Sequence, residues 1–151
     1  MNINPFDLKS ALLAKHAQHV VLVHFPIALF ISSVAFDLLA IRTNSCFLAK
    51  AAYYNLIAAA VTVVAAVTTG VLAWQLQLGG QRLRGDLRLH LSLGACSAVL
   101  IWVLAWWRRR QDQIGSKRLV GGYWALALIG ALIVALTGHL GGILSGVEIP
   151  N

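Results

Sequence analysis

Four stretches of the chain carry no Asp, Glu, Lys or Arg: 21 residues between Lys15 and Asp37, 31 between Lys50 and Arg82, 19 between Arg88 and Arg108, and 29 between Arg118 and Glu148. Each is apolar and close to or beyond the length that crosses the hydrocarbon core of a bilayer, about 20 residues of α-helix. Backbone groups in hydrocarbon must be bonded within their own segment, so these stretches are helices and not strands. The pattern predicts spans near 19–41, 50–77, 87–107 and 119–145. The fold class is therefore an all-α integral membrane protein, a four-transmembrane-helix bundle over 19–145. The two longest intervals are expected to tilt or to run into the interface.

Ahead of the bundle, residues 1–18 form an N-terminal segment with Phe6, Leu8, Leu12 and Leu13 among polar positions and Pro5 suited to a first helical turn. A short helix over 5–16, lying on the membrane surface, is expected there. Asp7, the lack of an early basic cluster and the lack of a small-residue cleavage site speak against a signal peptide, so the first span is expected to stay in the mature protein. Residues 146–151 form a short tail.

Composition agrees with a lipid environment: 59% of residues are hydrophobic and only 11% charged, against about 25% in a soluble domain. That excludes a disordered chain, a disulfide-rich scaffold and nucleic-acid binding through a charged surface. The net charge of +7 sits in short basic clusters between the spans, where it reports topology and not a nucleic-acid partner. An even number of spans puts both termini on one side, with Lys9, Lys15, Arg82, Arg84 and Arg88. Arg42, Lys50, Arg108, Arg109, Arg110, Lys117 and Arg118 lie on the other. The positive-inside rule then places both termini in the periplasm of a bacterial inner membrane. Tyr53, Tyr54, Trp106, Trp107, Tyr123 and Trp124 fit an aromatic belt near the cytoplasmic ends, with Trp74 near the other. Cys46 and Cys96 fall at different depths and are expected to be free thiols, Cys96 as a small buried residue.

The histidines carry the candidate chemistry. His19 and His24 open the first span, His90 opens the third, and His139 lies near the end of the fourth. Successive helices alternate in direction, so all four fall near one face of the membrane. His24 and His139 are the deepest, about 7–10 Å inside the boundary at the helical rise. An ionisable side chain at that depth normally faces the bundle interior with a partner. Neutral imidazole ligates a metal through one ring nitrogen while donating from the other, and bundles build cofactor sites from facing helices at one level. His24, His90 and His139 suit bis-histidine ligation of haem b with one imidazole to spare, or a three-histidine copper or zinc site. His19 and His24 are about 140° apart around the helix and cannot share one direction. Bundle-packing imidazoles bonded to backbone carbonyls remain the alternative.

The neighbours fit a flat cofactor. Gly70, Gly94 and Gly138 lie in the same half of the bundle, where a helix without side chains can approach a porphyrin face; ordinary small-residue packing explains them equally. Arg82, Arg84 and Arg88 precede His90 and suit haem propionates, or else a solvated loop. Pro26, two residues after His24, removes a helical hydrogen bond and can aim that imidazole. Asp37 reads as an interface residue paired with Arg42.

HVVLVHFPIAL at 19–29 resembles the N-terminal signature of domain-of-unknown-function family 2231, predicted bacterial four-helix membrane proteins, and TGHLGGILSGV at 137–147 resembles its C-terminal signature. Asp37 and the helix-opening His90 fall where the family often has similar residues. Val20 stands where the family usually has proline, and the end after Gly142 is compressed. The resemblance implies His19, His24, His90 and His139 as the family's histidines, and relatives fused to cytochrome or iron–sulfur modules imply redox work. Together these readings predict a b-type cytochrome passing electrons between quinone and a periplasmic carrier or larger membrane complex, with His24 and His139 as axial ligands and His90 as the replacement. The alternatives are a copper or zinc site, or a structural subunit of a larger complex without cofactor. No carboxylate pair or serine constellation lies within the spans, which argues against a freestanding hydrolase.

Overall fold

The computed structural model describes residues 15–77, 79–80, 82–113 and 121–144. They form four α-helices: α1 (Lys15–Thr43), α2 (Cys46–Gln77), α3 (Gly85–Gln113) and α4 (Gly121–Leu144). All four are long and apolar enough to cross a membrane. The expected surface helix lies outside the described residues except for its last two, Lys15 and His16, which belong to α1; the tail 146–151 lies outside them too.

The connection between α1 and α2 is short because the chain turns on a single residue. Asn44 takes the left-handed conformation at φ 51°, and the Ser45 amide reaches back to the Ala40 carbonyl at 3.1 Å. That 6→1 bond satisfies one of the orphan carbonyls of the α1 terminus. Ser45 then caps α2, its hydroxyl accepting from the Leu48 amide at 3.3 Å. Past α2, Gly79 and Gly80 both have positive φ, a conformation that glycine adopts without steric cost and that ends the helix.

Packing in the bundle is inverted relative to a soluble protein. Ala52, Ala59 and Ala127 are fully buried, whereas Phe25, Val61, Trp102 and Leu132 are exposed. Lipid is as apolar as leucine, so helices gain nothing by hiding large side chains from it; small residues inside let backbones approach. Cys96, expected to be buried, is likewise exposed, and both cysteines are free thiols. The larger core residues, Phe30, Leu56, Ile101, Leu104 and Val134, fill the middle layer. A Cβ built on Gly130 would lie 3.0 Å from Phe30 Cζ, and Phe30 is fully buried. Gly130→Val is therefore expected to destabilise the bundle by about 1–3 kcal/mol, read as a fall in thermal midpoint in detergent.

α1 packs most closely on α2 and α3 on α4; α2 also lines α3, and α1 meets α4 over a smaller area. The helices thus form a ring in which α1 stands diagonally across from α3.

Candidate functional site

Each helix buries one stripe, and polar residues recur along it. On α1 the stripe runs Pro26, Phe30, Ser33, Asp37 and Ala40; on α3 it runs Ser97, Ile101, Leu104 and Gln111; on α4 it runs Tyr123, Gly130, Val134 and Thr137. Steps of three, four and seven residues keep a position on one face. His19 lies seven residues before Pro26 and His90 seven before Ser97, so both imidazoles turn inward and are half-buried.

The two rings sit at the same end of diagonal helices. His19 Nδ1 lies 3.1 Å from Thr69 Oγ1 on α2. His90 Nδ1 lies 3.1 Å from the Thr137 carbonyl oxygen on α4. Each ring packs on a glycine of the same neighbouring helix: a Cβ at Gly70 would stand 3.0 Å from His19 Cε1, and one at Gly141 would stand 3.2 Å from His90 Cε1. Any larger residue at 70 or 141 would displace an imidazole. Ser97 Oγ and Thr137 Oγ1, 3.5 Å apart, extend the polar surface toward the middle of the bundle.

The pair expected to be axial, His24 and His139, occupies exposed positions. His24 is two residues out of phase with the α1 stripe, and its Nδ1 is bonded to the Val20 carbonyl of its own helix at 2.5 Å. His139 is two residues past Thr137 and equally out of phase. Gly94 faces the Thr137 methyl and Gly138 faces Ile27, each at van der Waals distance, so neither abuts an imidazole. Arg82, Arg84 and Arg88 are exposed at the histidine end. Among the described residues, no group of three or more His, Cys, Asp or Glu side chains comes together. A three-histidine copper or zinc site therefore has no geometric support there.

A second polar centre occupies the opposite end, and the sequence pattern misassigned it. Asp37 is 1% exposed and pairs with Arg108, not with Arg42. Tyr123 donates to Asp37 Oδ2 at 3.1 Å, and Arg108 donates to the Ala49 carbonyl at 3.0 Å. The Arg108 guanidinium also lies over the Tyr123 ring, 5.8 Å from its centroid. Asp37, Ala49, Arg108 and Tyr123 come from α1, α2, α3 and α4 in turn, so this one node ties all four helices together. Arg108, expected with Arg109 and Arg110 in a basic cluster between spans, lies within α3. It shares the α3 stripe with Ser97, Leu104 and Gln111, and that phase is the signal that identifies it.

A family model for predicted membrane proteins, DUF2231, matches residues 15–147, which covers all four helices. The chain belongs to this family. No curated protein and no solved structure matches it. The DUF2231 match takes in both polar centres: His19 with His90 at one end, and Asp37 with Arg108 and Tyr123 at the other.

Proposed function

We propose that the chain binds haem b, which His19 of α1 and His90 of α3 would hold, and that it transfers electrons. The observation that carries this reading is the pair of inward imidazoles on diagonal helices, each anchored at Nδ1 by an oxygen of a neighbouring helix. Metal-bound histidine characteristically has its second nitrogen held in this way. The donor set fits haem better than copper or zinc, which take three or four protein ligands. Arg82, Arg84 and Arg88 supply positive charge at the same end for the propionates.

Haem held by two imidazoles would supply one-electron transfer and not oxygen activation. The chain's own part is to hold two rings at one level, to exclude water with the apolar middle layer and to place the site close to one membrane face. Arg109 and Arg110, exposed at the far end, support an orientation with the histidine end periplasmic in a bacterial inner membrane. Quinone and a periplasmic carrier, or a larger membrane complex, are the partners this placement suits.

The test is the absorption spectrum of detergent-purified protein from haem-replete cells, first oxidised and then reduced with dithionite. A Soret band and a sharp α band on reduction are expected. Folded protein with neither band would overturn the proposal and leave a structural subunit as the reading.

A further inference from the structure

We infer that Thr69 and Thr137 are positioning residues that fix His19 and His90 in a single tautomer, protonated at Nδ1. The purpose of this arrangement rests on the reading of the two imidazoles as ligands. The assignment itself rests on hydrogen bonding alone.

A carbonyl oxygen can only accept, so the 3.1 Å contact between His90 Nδ1 and the Thr137 carbonyl requires the proton on Nδ1. Neutral imidazole carries one ring proton, which leaves Nε2 as a lone pair. Gly141 makes the contact accessible: with a Cβ there, an atom would stand 3.2 Å from His90 Cε1. For His19 the partner is a hydroxyl, which can donate or accept. Thr69 Oγ1 lies 2.9 Å from the Ala65 carbonyl and 3.0 Å from the Ala66 carbonyl. A hydroxyl has one proton, and the preceding turn of α2 takes it. Toward His19, Thr69 is therefore an acceptor, and His19 too is protonated at Nδ1. His24 also donates from Nδ1, but to its own helix. What distinguishes His19 and His90 is that their anchors reach across to neighbouring helices, which fixes the ring plane relative to the bundle as well as the tautomer.

The experiment uses the full chain labelled with 15N-histidine, in detergent and without added haem, where ring nitrogens that carry a proton and those that do not resonate far apart. Signals are assigned by their disappearance in His19→Gln and His90→Gln. Nδ1-protonated, Nε2-bare spectra are expected for both rings, and Nε2 protonation at His90, or tautomer averaging at both rings, would overturn the inference. Thr69→Val is expected to shift the His19 nitrogens to averaged positions while leaving His90 unmoved, and Thr69→Ser is expected to restore them. Unchanged His19 signals in Thr69→Val would remove Thr69 from the scheme. The wild-type spectrum keeps the inference testable if Thr69→Val does not fold. Loss of the haem reading would leave the nitrogen spectra as they are, and wrong tautomers would not by themselves abolish a Soret band, so the two failures are distinguishable.

Discussion

Asp37→Ala and Arg108→Ala are each expected to destabilise the bundle by about 3 kcal/mol or more, because each strands an unpaired charge where its partner had neutralised it. Asp37 is 1% exposed and the Arg108 side chain 11%, so solvent can screen little of the charge left behind. The magnitude separates charge from hydrogen bonding. Interhelical hydrogen bonds in membranes average about 0.6 kcal/mol, so Tyr123→Phe, which keeps the ring and the ion pair, is expected to cost well under half as much. The double variant Asp37→Leu with Arg108→Met removes both charges at roughly preserved volume. It should be more stable than either single replacement, since a buried pair exchanged for apolar residues is often neutral. Thermal or denaturant unfolding of the four variants in one detergent checks this. A double variant less stable than both singles would show that the node contributes more than mutual neutralisation.

The second large effect concerns the imidazoles. If haem is held as proposed, His19→Ala and His90→Ala are each expected to abolish the low-spin reduced spectrum, because each would remove one of the two imidazoles that would hold the iron. His24→Ala and His139→Ala are expected to retain it, since both residues occupy exposed positions out of phase with the buried stripes. Free imidazole added to His90→Ala is expected to restore part of the band by filling the gap left by the ring. Loss of the band in His24→Ala and His139→Ala, with its retention in the inward pair, would transfer the ligand role to the outer histidines.

The helices were legible because a bilayer tolerates few charges, and charge-free intervals mark them directly. Their ends were less so. α3 continues past Trp107 to Gln113, since a helix does not have to stop where hydrocarbon does, and the Arg and Gln residues beyond Trp107 are good helix formers. The level of the histidines was legible from their order along alternating helices, but the direction in which each points was not. Depth singled out His24 and His139, whereas rotation about the helix axis is set by which stripe packs, and that stripe is fixed by Phe30, Ser33 and Asp37 on α1 and by Tyr123, Gly130 and Thr137 on α4. Counting sevens back from Ser33 through Pro26 reaches His19. The Asp37 partner lay 71 residues away in sequence, in a run of three arginines that looked alike without their phase.

The middle layer has its own consequence. Phe30, Leu56, Ile101, Leu104 and Val134 separate the imidazole end from the carboxylate end, and none of these side chains can relay a proton. The two polar centres are thus held apart by side chains that have no hydrogen-bonding atom, so neither can exchange a proton with the other through these five residues.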